Sequence, residues 1–175
     1  DLPKEIITFS DDMDGLRKIP ENVPQKELLE KNLHKPLTQV PDPFRKFSSF
    51  GEHNNEMLKK FLDSFNFSYK FKSSSFLYKS GYFNSSLKII LENYDEIMNI
   101  ILPTLGKERQ KTYCPFLPIC PETGHVLEIP VKEIKKNKSL IVFDNNGRDL
   151  ETSILDGKCK LQWKVDWAMR WMAFQ

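Results

Sequence analysis

The alternation of apolar and polar positions over the first 72 residues predicts a strand, a helix and a second strand. The run Ile6–Phe9 is short and β-branched, which is typical of a buried strand. Ser49 and Glu52 have the capping-box spacing, and apolar residues at helical intervals follow as far as about Phe65. Alternation over Phe67–Lys72 predicts the second strand. This order and spacing predict a right-handed βαβ unit with parallel strands.

Between the first strand and the helix, prolines at positions 20, 24, 36, 41 and 43 predict an extended loop, with a turn of helix at Lys26–Lys31. Further along, Ser85 or Ser86 can cap one long helix that ends at Pro103 and Gly106. The apolar stripe of that helix comprises Leu87, Ile90, Leu91, Tyr94, Ile97, Met98 and Ile101.

From Tyr113 onward, prolines alternate with short apolar runs at Val126–Val131, Leu140–Phe143 and Leu150–Leu155. Asp144-Asn-Asn-Gly147 is a hairpin turn sequence. We therefore predict an α/β protein in three parts. Residues 1–112 form a partial parallel sheet with helices, and residues 113–158 form a small antiparallel insert. Residues 159–175 return to the main sheet at Lys160–Val165 and begin a helix.

The bulk composition excludes several classes of protein. Twenty-six basic and 24 acidic side chains give a net charge of +2, so any contact with nucleic acid must be a local patch. Three separated cysteines form no disulfide framework, which favours a reducing, cytoplasmic location. No apolar run approaches the roughly 20 residues of a membrane span, and the first residues have no signal-peptide character. We therefore expect no membrane partner.

Two groups of residues could carry chemistry. Asp11, Asp12 and Asp14 follow the first strand, at the edge where open α/β sheets bind ligands. These carboxylates could bind an ammonium, a ribose hydroxyl or Mg²⁺, or could simply form a solvated turn. Arg17 could pair with Asp12 and Asp14.

The second group is a stripe of three tryptophans, four residues apart, with charged residues between them: Trp163, Lys164, Asp166, Trp167, Arg170 and Trp171. On a helix the indoles would lie nearly in line. The stripe has two interpretations. It is either an apolar face packed in the core or one wall of a ligand pocket, in which the charged residues are held for function.

Lys164-x-Asp-Trp-x-x-Arg-Trp171 resembles the segment that lines the amino-acid pocket of class I lysyl-tRNA synthetases. Seven other segments resemble that family in the same order, so the resemblance covers almost the whole chain: Thr8–Asn22, Lys35–Thr38, Pro41–Phe44, Ser49–Asn54, Tyr78–Gly81, Pro103–Gly106 and Pro115–Pro121.

The resemblance implies a Rossmann-like class I synthetase core with a small zinc-ribbon-like insert. Such enzymes condense lysine with ATP, bound as a Mg²⁺ complex, to lysyl-adenylate and then transfer lysine to tRNA-Lys. The family's two ATP-binding motifs, a His-Ile-Gly-His-like turn and a lysine- and serine-rich loop, are absent from these 175 residues. We therefore expect an internal fragment that is inactive alone. One alternative is a degenerate remnant that binds RNA without catalysis. A glutamyl-tRNA synthetase is a weaker alternative, because that pocket needs an arginine and has no use for an Asp-Trp pair.

The resemblance also implies roles for single residues. Asp11 would hold the α-ammonium of lysine, and Trp167 would form the apolar wall of its pocket. Asp166 would either hold the ε-ammonium or pair with Arg170, and Trp163 and Trp171 would pack in the core. His53, at a helix start, could bind a phosphate of ATP or serve as a capping or surface residue.

The insert carries the remaining candidates. Lys132, Lys135, Lys136 and Lys138 could meet tRNA phosphates or form a solvated face. Cys120-Pro-Glu-Thr-Gly124 has the shape of a zinc-knuckle turn whose second cysteine is replaced by Thr123. Cys120 and Cys159 are therefore the candidate metal ligands, but zinc needs four ligands and these spacings are poor even with Cys114 and His125. We expect no bound zinc.

Overall fold

The computed structural model describes residues 4–145 and 147–174, which form seven strands and seven α-helices. The chain divides into two compact units. Unit 1 comprises residues 1–77 and 121–126, and unit 2 comprises residues 78–120 and 127–175. The mixture of helices and strands agrees with the predicted α/β class. Among the described helices, none combines the length and the apolar character needed to cross a bilayer.

Unit 1 contains the predicted strand, helix and strand. Its elements are β1 (Ile7–Ser10), α1 (Lys26–Glu30), α2 (Phe50–Ser64), β2 (Lys70–Ser73) and the start of α3 (Ser74–Lys79). The strands β1 and β2 pair in parallel, from Ile7 opposite Lys70 to Ser10 opposite Ser73. The prediction that the first strand is buried was wrong, because β1 is half-buried along its whole length. Among the described residues its sheet has only these two strands.

The start of α2 shows why this sequence becomes helical where it does. The Ser49 hydroxyl accepts a hydrogen bond of 3.0 Å from the Glu52 backbone N–H, which is the first half of the predicted capping box. The Glu52 carboxylate accepts from the backbone N–H of Ser48, at 3.0 Å, instead of from that of Ser49. These bonds satisfy N–H groups that have no partner within the helix.

The proline-rich loop supplies most of the core of unit 1. Buried side chains come from the loop, from α1 and from the first residue of α2, and partly buried side chains pack against them: Leu16, Leu29, Val40 and Phe50, with Ile19, Val23, Leu33 and Leu37. Gly51 allows the close approach of this loop to α2, because a Cβ atom there would lie 2.9 Å from the Thr38 nitrogen. The loop is therefore packed and hydrogen-bonded, although the sequence predicted it as extended chain.

Unit 2 contains the remaining helices and strands. The helices are α4 (Asn84–Glu92), α5 (Tyr94–Ile101), α6 (Lys107–Thr112) and α7 (Trp163–Ala173). The strands are β3 (Phe116–Pro118), β4 (Val131–Lys135), β5 (Leu140–Asn145), β6 (Arg148–Ser153) and β7 (Cys159–Leu161).

The prediction of one long helix after Ser85 was wrong, because the segment forms two helices, α4 and α5, that are separated at Asn93. The Asn93 side-chain amide donates to the Ile89 carbonyl at 2.8 Å. The same carbonyl also accepts from the Asn93 backbone N–H. A side chain that competes for a helical acceptor in this way favours a helix end. The first helix also begins at Asn84 without a side-chain cap, so neither Ser85 nor Ser86 caps it.

Within residues 113–158, three strands form the antiparallel sheet β4-β5-β6. β5 and β6 join at the predicted hairpin, where the Asp144 carboxylate accepts from the Gly147 N–H at 2.8 Å. Asn146 of that turn lies outside the described residues. Of the apolar run Val126–Val131, only Val131 belongs to this sheet, because β4 begins there.

We predicted that Lys160–Val165 returns to the main sheet, but among the described residues the strand in this segment pairs with β3 and not with β1 or β2. β7 pairs antiparallel with β3, with Phe116 opposite Leu161 and Pro118 opposite Cys159. The chain then enters α7 at Trp163. Both short strands are fully buried, which explains why their apolar residues carry no alternating pattern.

Candidate active site

The aspartate-rich turn follows β1 directly. The Asp14 N–H donates to the Asp11 carbonyl at 2.9 Å, which closes the turn. Asp11 is exposed, whereas Asp12 is only 2% exposed. The three aspartates therefore divide into one accessible carboxylate and others that belong to the turn itself.

The buried Asp12 carboxylate organises this turn. One oxygen accepts from the Asn55 amide at 2.9 Å and from the Ser73 hydroxyl at 2.5 Å, and the other accepts from the Ser75 N–H at 2.8 Å. The partners of Asp12 are therefore these neutral donors and not Arg17, which the sequence suggested. The carboxylate thus joins the end of β1 to the end of β2 and the start of α3.

The second candidate group lies on α7, and its buried face is not the tryptophan face. Val165, Asp166, Met169 and Arg170 are buried. Trp163, Trp167 and Trp171 are 67%, 50% and 72% exposed. The interpretation that places the indoles in the core was therefore wrong, including the expectation that Trp163 and Trp171 pack there.

Asp166 is held by two partners in unit 2. The Tyr78 hydroxyl donates to one carboxylate oxygen at 2.6 Å and accepts from the Leu161 N–H at 3.1 Å. The Arg170 guanidinium pairs with the other carboxylate oxygen. Burial raises the pKa of Tyr78 well above its usual value, and the neighbouring Asp166 charge raises it further, so the phenol stays protonated and donates.

Trp167 offers a half-exposed aromatic surface beside this ion pair. Its ring centroid is 6.0 Å from the Arg170 guanidinium carbon and 6.0 Å from the Trp163 ring, which meets it edge-on. An indole held in this way can form an apolar wall and attract a cation.

His53 lies in the first turn of α2, but its ring is buried, so it is neither a capping nor a surface residue. Its Nδ1 atom lies 3.1 Å from the Asp42 carboxylate, and its ring stacks on Phe44 with centroids 4.4 Å apart. The Asp42 carboxylate also accepts from the backbone N–H groups of Phe44, Lys46 and Phe47. Burial opposes ionisation of Asp42, but these backbone bonds and His53 outweigh it, so the pKa of Asp42 lies below its usual value.

The four lysines of the insert are largely engaged with acidic or carbonyl groups. Lys132 contacts Asp149 at 2.6 Å, and Lys135 pairs with Glu151. Lys136 donates to the Glu92 carbonyl at 2.8 Å. Within the described residues Lys138 alone of the four has no hydrogen-bonded or ion-paired partner, so the patch carries less free positive charge than the sequence indicated.

The three cysteines are buried, and within the described residues they form no disulfide. Burial raises the pKa of Cys114 to about 11 and that of Cys159 well above its usual value. The Cys159 thiol donates to the Lys160 carbonyl, and the Thr123 hydroxyl accepts from the His125 N–H. Across residues 4–145 and 147–174, no three His, Cys, Asp or Glu side chains are grouped so that they could hold a metal ion.

Three residues in these sites were not singled out from the sequence: Tyr78, Asp42 and Asn55. The first two lie in segments that carry the family resemblance, Tyr78–Gly81 and Pro41–Phe44, but nothing in their local pattern indicates burial. Their side-chain partners are 11 to 88 residues away in the chain, so only the folded structure identifies them.

A family model described as tRNA synthetases class I (K) matches residues 3–175. The chain belongs to this family. It is 48% identical to the lysine–tRNA ligase of Rickettsia prowazekii (strain Madrid E) over 176 residues. This alignment covers 100% of the chain and 33% of that relative. It is 46% identical to the lysine–tRNA ligase of Rickettsia africae (strain ESF-5) over 176 residues. This alignment covers 100% of the chain and 34% of that relative. The synthetase segment thus spans about a third of the length of these curated relatives, and the resemblance drawn from its residues is confirmed.

The Tyr78 hydroxyl should make a measurable contribution to the stability of the synthetase segment. Tyr78→Phe leaves the Leu161 N–H without its acceptor and removes a donor from Asp166, so we expect a loss of about 2–3 kcal/mol in the free energy of unfolding. Urea unfolding followed by far-UV circular dichroism measures this loss. Tyr82→Phe is the matched control, because that hydroxyl bonds the Ala173 carbonyl on a side chain that is 47% exposed. Equal losses in the two variants would contradict the role of Tyr78.

Asp42 should make stability depend on pH. Its pKa is lowered on folding, so its contribution is present above the unfolded value of roughly 4 and is lost as pH falls through the lower folded value. Asp42→Asn should therefore reduce stability at pH 7 by about 1–3 kcal/mol, and the difference from the native protein should shrink at acidic pH. Urea titrations at a series of pH values measure this. Asp95→Asn, at a side chain that is 85% exposed, is the control and should show little dependence on pH. A constant difference for Asp42→Asn would contradict the assignment.

Proposed function

We propose that this chain is part of the catalytic region of a class I lysine–tRNA ligase. The observation that carries the proposal is the match of the whole chain, at 46–48% identity, to relatives named lysine–tRNA ligase. In such a reaction lysine and the Mg²⁺ complex of ATP give lysyl-adenylate, and lysine is then transferred to tRNA-Lys. No side chain needs to act as a covalent nucleophile, because positioning and charge stabilisation supply the catalysis.

Asp11 is our candidate for the α-ammonium of lysine. It is exposed and follows directly on a parallel strand, whereas the neighbouring Asp12 is buried and hydrogen-bonded within the turn. A solvent-exposed carboxylate at this edge of a sheet is accessible to a cationic ligand. Asp12 therefore supports the turn, and Asp11 makes the contact.

Trp167 is our candidate for the wall that receives the lysine side chain. Lysine has four methylenes and a terminal ammonium, so its pocket needs an apolar surface and an acceptor. The half-exposed indole provides the surface and a cation–π attraction.

Both carboxylate oxygens of the buried Asp166 already have partners in Tyr78 and Arg170. Of its two possible roles, we therefore favour pairing with Arg170. This pairing holds α7 in place and so positions Trp167. Asp166 would therefore contribute to the lysine site indirectly, by orienting that helix.

The remaining candidates have weaker support. His53 would approach a phosphate of ATP at the start of α2, although its Nδ1 atom is already beside Asp42. Lys138 is the insert lysine best placed to meet tRNA phosphates, because Lys132, Lys135 and Lys136 have partners. No observation favours the alternative of a non-catalytic RNA-binding remnant.

We further propose that residues 1–112 and 159–175 belong to a Rossmann-like core and that 113–158 is a zinc-ribbon-like insert without metal. The parallel pair β1–β2 and the antiparallel sheet β4-β5-β6 support this division. The residues present do not fit a zinc site. Thr123 stands where a second knuckle cysteine would be, and within the described residues no three His, Cys, Asp or Glu side chains are grouped so that they could hold a metal ion.

The substitution Trp167→Ala tests the lysine pocket, in a polypeptide that has the full length of the curated relatives. Loss of the wall and of the cation–π contact should lower kcat/KM for lysine by about 30- to 150-fold, or about 2–3 kcal/mol, with the KM for ATP nearly unchanged. Lysine-dependent pyrophosphate exchange measures both constants. Trp171→Ala is the matched control, since it lies one turn further along α7 and is 72% exposed. The role of Trp167 fails if the two variants behave alike.

The insert without metal is tested by elemental analysis of the purified protein. We expect no stoichiometric zinc, and we expect the three thiols to react with a thiol reagent only on unfolding, because they are buried. One zinc per chain whose removal unfolds the protein would show that this proposal is wrong.

A further inference from the structure

Asp11 is flanked by two residues that are bound to one and the same side chain. The Asn55 amide oxygen accepts from the Ser10 hydroxyl at 2.5 Å, and its amide nitrogen donates to the Asp12 carboxylate at 2.9 Å. Asn55 lies on α2, 45 and 43 residues along the chain from these partners. One helix side chain therefore bridges the last residue of β1 and the second residue of the turn, with Asp11 between them.

The chemistry of this bridge suits an asparagine and no similar residue. The amide presents one acceptor and one donor at its tip, and it faces a hydroxyl on one side and a carboxylate on the other. An aspartate in its place would set two carboxylates against each other, and a leucine would leave the buried Asp12 oxygen with fewer donors. The described residues give Asp12 no cationic partner, so its neutral donors matter more.

The start of α2 is itself held in place. The Ser49 cap and the bonds of the Asp42 carboxylate to Phe44, Lys46, Phe47 and His53 fix the chain that enters the helix. Asn55 lies in the turn of α2 that follows this fixed entrance. It therefore reaches the β1 turn from a rigid element, which is the arrangement that orients a functional side chain well.

We infer that Asn55 is a positioning residue for Asp11, which it orients by clamping Ser10 and Asp12. This inference rests on the proposed function, in which Asp11 holds the α-ammonium of lysine. Asn55 itself does not touch the substrate in this scheme. Its effect reaches the lysine site through the backbone of residues 10–12.

The first experiment replaces Asn55 in a polypeptide that has the full length of the curated relatives, and it measures lysine-dependent pyrophosphate exchange. Asn55→Ala should raise the KM for lysine about 10- to 100-fold, while the KM for ATP changes less than about twofold. Asn54→Ala is the matched control, because Asn54 is the exposed neighbour on the same helix and its side chain has no hydrogen-bond partner among the described residues. Equal changes in both KM values, or a loss of thermal stability alone, would overturn the inference.

A double-mutant cycle with Asp11 tests the route of the effect. If Asn55 acts through Asp11, then Asn55→Ala should add less than about twofold to the lysine KM once Asp11→Asn is present. Fully multiplicative effects would mean that the two residues act independently, and the positioning role would fall.

A milder variant keeps the test valid if Asn55→Ala does not fold. Ser10→Ala removes one of the two clamping bonds and leaves the Asn55–Asp12 bond in place. It should raise the lysine KM by several-fold in the same direction, again with the KM for ATP unchanged. A folded Ser10→Ala protein with an unaltered lysine KM would overturn the clamp.

The same measurements separate this inference from the proposed function. If no lysine-dependent exchange occurs in the full-length protein, the proposed function fails. If exchange occurs but Asp11→Asn leaves the lysine KM unchanged, the role of Asp11 fails, and the clamp fails with it. If Asp11→Asn raises the lysine KM and Asn55→Ala does not, the positioning inference alone is wrong.

Discussion

A carboxylate that is taken out of water must be surrounded by hydrogen-bond donors, and three aspartates of this chain obey that constraint in different ways. Asp12 uses neutral side chains and one backbone N–H at the ends of β1 and β2. Asp42 uses three backbone N–H groups and a histidine at the entrance to α2. Asp166, on the buried face of α7, uses Tyr78 and Arg170. Each of them fixes a turn or helix next to a residue with a proposed role in binding lysine or ATP.

Local patterns predicted those parts of the fold that depend on local interactions. The strand at β1, the cap at Ser49 and the hairpin at Asp144 all follow from a few neighbouring residues. The break at Asn93 was missed because the apolar stripe continues through it, and periodicity does not register a side chain that competes for one carbonyl. The pairing of β7 with β3 was missed because two fully buried strands carry no alternation from which to read their neighbours.

The sites were predictable to a smaller extent. Asp11 and the Asp-Trp pair of α7 could be singled out because they belong to distinct sequence patterns. The orientation of α7 could not, since Val165 and Met169 form a second stripe at helical spacing and a charged i, i+4 pair is usually a surface feature. The buried Asp166 carboxylate is satisfied in part by Tyr78, which lies 88 residues away in the chain. The residues around Asn55 do not indicate its role, because its two partners, Ser10 and Asp12, lie more than 40 residues earlier in the chain.

The exposure of the indoles has a consequence for spectroscopy. The chain has three tryptophans, all of them on α7, and they are between 50% and 72% exposed. Indole emission shifts to longer wavelength in water, so these residues already emit in the folded protein much as they would in the unfolded chain. Intrinsic fluorescence is therefore a poor reporter of unfolding in this protein. The same property makes it a selective optical probe of whatever contacts α7, because no buried tryptophan contributes a background signal.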